Sequence, residues 1–220
     1  MTRLLSTLII LVFMTISAYS QSSSNTIKLW NGKDFTGWEL VADSAADIKS
    51  VCKIEPDSTI AVSGKPIGYL ATIGSYENYK LHIEYRWPID AVKNSNSGVL
   101  IHIASGPIDR NRWPLCFQIQ TKITRVGDLL PMAGAKFAEP LSTAPKAKTP
   151  LLERQNLDSE KPIGEWNIVD LICQDSIIEY MINGIVQNRA TKCEPHAGKI
   201  GIQLEGVPFE LRNILLTVLD

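Results

Sequence analysis

Apolar and polar residues alternate with a period of two through much of the chain. Tyr79-Lys80-Leu81-His82-Ile83-Glu84-Tyr85-Arg86-Trp87 keeps the alternation over nine residues, and Cys116-Phe117-Gln118-Ile119-Gln120-Thr121 repeats it. Gly98-Val99-Leu100-Ile101-His102-Ile103 is a β-branched run, and Trp166 to Cys173, Ile177 to Ile182, Lys199 to Leu204 and Phe209 to Val218 complete the set. Successive side chains of a strand point to opposite faces, so this period predicts strands with one face buried. Asn183-Gly184 between two apolar runs predicts a hairpin, and Asn31-Gly32-Lys33-Asp34 and Gly206-Val207-Pro208 predict further turns. No long stretch holds a helical period. Many short strands with regular turns predict an all-β fold, a sandwich or jelly roll. Residues 122–163 break the pattern with Pro131, Pro140, Pro145, Pro150 and Pro162. A long irregular segment inside a compact domain is commonly functional. It is expected either as a rim or lid over one face of the sandwich or as a surface insertion without a role.

The start of the chain follows another pattern. One charge at Arg3 precedes an apolar run from Leu4 to Ala18, and Ala18-Tyr19-Ser20 puts small residues before Gln21. The run is shorter than a bilayer requires and a cleavage site follows it, which is the layout of a secretory signal. The expected organisation is a signal peptide at 1–20, a flexible polar leader at 21–26 and a single β-sandwich domain at 27–220. The expected location is periplasmic or secreted, with no membrane span after signal cleavage. A net charge of −1 supplies no electrostatic drive toward nucleic acid. Cys52, Cys116, Cys173 and Cys193 form no C-x-x-C pair, so a zinc cluster is not expected. In an oxidising compartment Cys173 and Cys193, flanking the predicted hairpin, are the favoured bridge; four buried thiols are the alternative.

Strand alternation also selects the candidate chemistry. Gly98, Leu100 and His102 share a face, as do Cys116, Gln118 and Gln120, and Gly201, Gln203 and Glu205. If these strands are neighbours, His102, Gln118, Gln120, Gln203 and Glu205 converge on one polar sheet face. His102 suits a base or a metal ligand, or else is a half-buried histidine bonded to backbone. Glu205 is the better carboxylate candidate. Asp128, in a loop after Gly127, suits a metal or sugar hydroxyls, or else stabilises a turn. Arg212 could hold Glu205 by a charged hydrogen bond or make a structural ion pair. Arg110 and Arg112 could reach a ligand from a loop. Trp113 could stack on a sugar ring, whereas Trp30, Trp38, Trp87 and Trp166 are expected in the core.

Several blocks taken together resemble a known family. They are Leu29-Trp30-Asn31-Gly32-Lys33-Asp34-Phe35-Thr36-Gly37-Trp38, Asn96-Ser97-Gly98-Val99, Trp113 to Gln120, Gly127-Asp128, Gly164-Glu165-Trp166-Asn167, Asn183-Gly184, Gly198 to Gly206 and Glu210-Leu211-Arg212-Asn213-Ile214. In this order and spacing they resemble the 3-keto-disaccharide hydrolase domain family. The resemblance implies a concanavalin A-like β-sandwich acting on an oxidised sugar or glycoside, with a functional link to a sugar 3-dehydrogenase. It points to removal of the carbon-2 proton, elimination of the carbon-1 group and rehydration, for which the catalytic candidates from strand alternation are Glu205 and His102. Gln118, Gln120, Gln203, Arg212, Arg112, Trp113 and Asp128 would then contact the substrate. Family members often carry a glutamate where this chain has Gln118, and an amide is no base. A non-catalytic carbohydrate-binding module is therefore the alternative. A divalent metal is an option for the reaction, but no compact ligand motif such as H-E-x-x-H marks one. The acidic E-x-D-x-x-E strand of conventional sandwich glucanases is absent from the sequence.

Overall fold

The computed structural model describes residues 26–109, 112–144 and 147–219. In chain order its strands are β1 (Thr26–Lys28), β2 (Trp38–Ala42), β3 (Cys52–Ile54), β4 (Ile60–Val62), β5 (Gly68–Thr72), β6 (Tyr79–Arg86), β7 (Gly98–Asp109), β8 (Trp113–Gln120), β9 (Leu129–Met132), β10 (Asn167–Gln174), β11 (Ile177–Ile182), β12 (Ile185–Ala190), β13 (Lys199–Leu204) and β14 (Phe209–Val218). A single helical turn, α1 (Ile48–Val51), is capped by the Asp47 side chain. The strands form two antiparallel sheets. The eight-stranded sheet runs β12-β11-β10-β6-β14-β4-β3, with β1 beside β14; the six-stranded sheet runs β2-β5-β13-β7-β8-β9.

The two sheets face each other across one apolar core. Leu81, Ile83, Val169 and Leu171 enter it from the eight-stranded sheet, and Ile101, Phe117, Ile119 and Ile202 from the six-stranded sheet. Each such side chain contributes about 1.5–3 kcal/mol when fully buried. On β6 and β10 buried and less buried residues alternate, as the period of two predicts. On β5 and β8 nearly every residue is buried. The reason is a second apolar cluster on the outer face of the six-stranded sheet, made by Tyr69, Ala71, Leu100, Ile103, Trp113 and Cys116.

One feature of β7 departs from simple alternation. His102 has φ of 54°, and the register shifts between Ile101 and Ser105 against β8 and between Lys199 and Gly201 against β13. A bulge adds a residue on one strand and turns the side chains that follow. His102 therefore stays on the inner side, its ring edge-on to Tyr79 and Phe117 with centroids at 5.8 and 6.5 Å, and Ile103 turns outward.

Residues 122–163 are not a lid. They carry β9, and they are stitched to the opposite edge of the sandwich by Lys136 to Glu194, Ala138 to Thr191 and Gln155 to Gln187. The Asn188 side-chain amide donates to the carbonyls of Leu152 and Glu153. The segment closes the side between β9 and β12, covering backbone edges that would otherwise remain open. The four cysteines are buried thiols, and the expected Cys173–Cys193 bridge is not formed. Cys173 lies beside the Tyr79 hydroxyl instead, and burial pushes its thiol up to about 12. The expected signal peptide lies outside the described residues, as does Arg110.

Candidate functional site

Register brings the outer-face residues of the six-stranded sheet together. Gly201 pairs with Ala71 on one side and Leu100 on the other, Leu100 pairs with Gln118, and Gln118 pairs with Leu130. One step along, Gln203 pairs with Tyr69 and Gly98 pairs with Gln120. The polar end of this face holds three glutamines, at 2 %, 8 % and 3 % exposure for Gln118, Gln120 and Gln203. Gln118 Nε2 donates to Gln120 Oε1 at 2.6 Å and to Gln203 Oε1 at 2.9 Å. Gly98 makes this possible. A Cβ there would lie 2.6 Å from both Cγ and Nε2 of Gln118, so only glycine lets Gln118 cross to both partners.

The two hydrogens of the Gln118 amide are spent in this network. Among the described residues, Gln118 Oε1 and the amide N–H groups of Gln120 and Gln203 have no protein partner, and none of them is sealed from solvent. They are the groups a polar ligand would meet. Ser97 donates to the Gln203 carbonyl at 2.7 Å and fixes the end of β13. Glu205 follows that end directly. It is half-buried, and Asn96 Nδ2 donates to its Oε2 at 2.5 Å. Glutamines, Asn96 and Glu205 thus form one polar group beside the apolar cluster of Tyr69 and Trp113.

The other expected site residues lie elsewhere. His102 points into the core, not onto the polar face, because of the bulge. Its Nδ1 meets the Pro195 carbonyl at 3.2 Å, its Nε2 is buried without a partner, and burial holds its pKa down to about 4. Arg212 does not reach Glu205. Strand β14 belongs to the other sheet, and there Arg212 pairs with Glu84 at 2.7 Å and stacks on the Trp166 ring at 4.0 Å. Trp166 is accordingly outside the core, sharing that stack with Arg86 at 4.6 Å. Trp113 is 5 % exposed and is used in the apolar cluster, so its ring is not offered to a ligand. Arg112 pairs with Asp43 at 3.0 Å. Asp43 follows β2, so this pair ties the β7–β8 turn across the outer face to the far edge of the sheet. Asp128 is buried and anchors the 151–158 stretch: it accepts from the Arg154 backbone N–H at 3.0 Å and pairs with Arg125 at 3.1 Å. Burial pushes its carboxyl up.

Alternation alone does not single out Asn96, Tyr69 or the Lys199–Glu39 pair at 2.5 Å farther along the same face. Asn96 sits in a loop, and only its place in the Asn96-Ser97-Gly98 block signals it. Tyr69 and Glu39 are placed by β2–β5–β13 pairing, which the sequence does not encode locally. As for a metal, Glu205 is the single carboxylate of the polar group, and the described residues hold no cluster of three or more His, Cys, Asp or Glu fit to bind an ion.

Several solved structures share the architecture. A provisionally assigned glycosyl hydrolase from Parabacteroides distasonis superposes with a TM-score of 0.62 at 19 % identity, over 89 % of this chain and 94 % of that one. The carbohydrate-binding module CBM66 from Bacillus subtilis gives 0.56 at 8 % identity, over 83 % and 96 %. The β-glucanase of Bacillus licheniformis gives 0.52 at 10 % identity, over 91 % and 100 %. At these identities the likeness is one of fold, the concanavalin A-like sandwich. No curated protein matches the chain. The 3-keto-alpha-glucoside-1,2-lyase-like domain family matches residues 25–217. The chain belongs to that family, the 3-keto-alpha-glucoside-1,2-lyase-like domain, and its function is carbohydrate-related.

Proposed function

We propose that the protein cleaves glycosides whose sugar carries a ketone at carbon 3, by removing the carbon-2 proton, expelling the carbon-1 group and adding water. The ketone acidifies the neighbouring hydrogen, so one positioned carboxylate serves as the base. Glu205 has that role in this reading. Gln120 and Gln203 offer amide N–H groups to the enediolate oxygen, and Gln118 holds both in place. Preorganised donors of this kind stabilise charge as it develops without having to reorient. His102 takes no part, since its ring lies in the core. No step is assigned to a metal. The observation that carries the reading is a three-glutamine network with the Glu205 carboxylate two residues beyond Gln203, in a chain of this family. The substrate requires prior oxidation at carbon 3, so a sugar 3-dehydrogenase must supply it. The signal-like residues 1–20 support action in the periplasm or outside the cell.

A second reading, a carbohydrate-binding module without catalysis, is favoured by Gln118, a neutral amide where family relatives often carry a carboxylate. One experiment separates the two. Purified protein is incubated with a set of 3-keto-glucosides and aglycone release is followed. Release by the wild type, with a loss of roughly 100-fold or more in Glu205→Gln at unchanged melting temperature, is the expected result. Calorimetric binding without release from any substrate would establish the second reading.

A further inference from the structure

The oxygen of a primary amide only accepts hydrogen bonds and its nitrogen only donates them. A chain of amides therefore has a sense. Gln118 Nε2 donates to Gln120 Oε1 at 2.6 Å and to Gln203 Oε1 at 2.9 Å. Both outer glutamines thus turn their oxygens toward Gln118 and their NH2 groups away from it. Among the described residues those two NH2 groups meet no protein acceptor and are not sealed from solvent. They stand against one open carbonyl oxygen, that of Gln118 itself, so a ligand meets more donors than acceptors. The opposite sense, with an oxygen of residue 118 between the other two, would turn both outer Oε1 atoms toward the ligand. The choice lies with Gln118, the member bonded to both others. Gly98 lets it lie there, since a Cβ would sit 2.6 Å from its Cγ and Nε2. All three glutamines are buried, and a buried polar group that loses its partner is costly, so the sense is held.

We infer that Gln118 is a specificity-determining residue: it sets the sense of the network so that the face selects a sugar oxygen without a hydrogen over a hydroxyl. The assignment rests on the proposed cleavage of 3-keto-glycosides for the identity of that oxygen, the ketone on carbon 3. A carbonyl oxygen has two lone pairs and no proton, so it accepts from Gln120 and Gln203 together. A hydroxyl in the same place must also find an acceptor for its hydrogen, and the network offers it only the Gln118 oxygen. The same donors hold the enediolate more strongly than the ketone, because hydrogen bonds to a charged oxygen are roughly twice as strong. A carboxylate at position 118 would reverse the selection. It only accepts, so Gln120 and Gln203 would turn their NH2 groups inward to it and their oxygens outward. The ligand would then meet acceptors alone, which suit the hydroxyls of an unoxidised sugar. The amide that takes a possible base away from this position is thus what tunes the face to the oxidised sugar.

The test is Gln118→Glu, which keeps the length of the side chain and reverses the sense. Binding of 3-keto-glucose and of glucose is measured by calorimetry at neutral pH for wild type and variant, so that no turnover is needed. The wild type should prefer the keto-sugar, and the ratio of the two affinities should fall roughly 10-fold or more in Gln118→Glu. Gln118→Met, of similar length and without the amide, leaves both neighbours free to turn and should give an intermediate ratio. It keeps the test in force if melting curves show Gln118→Glu to be unfolded. A ratio unchanged in the folded variants, or a wild type that binds the two sugars equally or binds neither, would overturn the assignment. Faster cleavage by Gln118→Glu would overturn it too, by making position 118 the seat of the base. Aglycone release from 3-keto-glucosides by the wild type is followed separately. Its absence beside the expected ratio would remove the cleavage and leave the selectivity, whereas release beside an unchanged ratio would leave the cleavage and remove the role of Gln118.

Discussion

His102 is 1 % exposed, with one ring nitrogen on the Pro195 carbonyl and the other without a partner. Its charged form has no place in the core, and its pKa falls from 6.5 to about 4. Between these two values the unfolded chain binds a proton that the folded chain refuses. Its contribution to stability is therefore full above pH 6.5 and declines as the pH falls toward 4, by about 1.4 kcal/mol per pH unit for one group. His102→Leu should flatten the fall of melting temperature over that range and leave cleavage at pH 7 unchanged. An unchanged acid slope would contradict the burial argument, and lost activity would return His102 to the site. The sequence offers a histidine on an apparently outward position; the positive φ that turns it inward leaves no mark in the residues around it. The shared face of the three glutamines, by contrast, follows from alternation alone, because no bulge separates them from the apolar residues that set their faces.

At the scale of the element, β7, β8 and β13 make the polar group a property of strand pairing. Gln118 reaches Gln120 and Gln203 only by lying over Gly98 on the neighbouring strand. Gly98→Ala should push Gln118 off its partners and lower kcat/KM on the order of 10- to 100-fold. The melting temperature should fall as well, since Gln118 is buried and would lose two hydrogen bonds. Full activity in Gly98→Ala would show that the network is not needed. The same scale explains what the sequence left illegible. Alternation places Arg212 outward correctly, but β14 pairs with β6, so outward there means the far side of the molecule, against Glu84 and Trp166. Trp113 and Arg112 precede the regular part of β8, beyond its register shifts against β7, and their partners Tyr69 and Asp43 are distant in sequence. The proline-rich 122–163 segment has the composition of a loop, and only its hydrogen bonds to the β12 region distinguish an edge closure from a lid.

At the scale of the whole molecule, the sandwich was legible because each strand carries its own apolar face, and two such faces must meet. Which sheet a strand joins is decided by long-range pairing, and so the site was legible in part. The outer face of the eight-stranded sheet is spent on ion pairs such as Arg86 with Glu210 and Arg212 with Glu84. The outer face of the six-stranded sheet carries the glutamine network, and Glu205 follows it at the end of β13. The central claim is that Glu205 removes a proton from carbon 2 of a 3-keto-glycoside. It is tested most directly by running the reaction in deuterium oxide and observing carbon 2 of the released keto-sugar by NMR. Deuterium at carbon 2 with the wild type, and neither deuterium nor release with Glu205→Gln, is the predicted result. Cleavage that leaves the original hydrogen on carbon 2, or exchange that persists in Glu205→Gln, would contradict it.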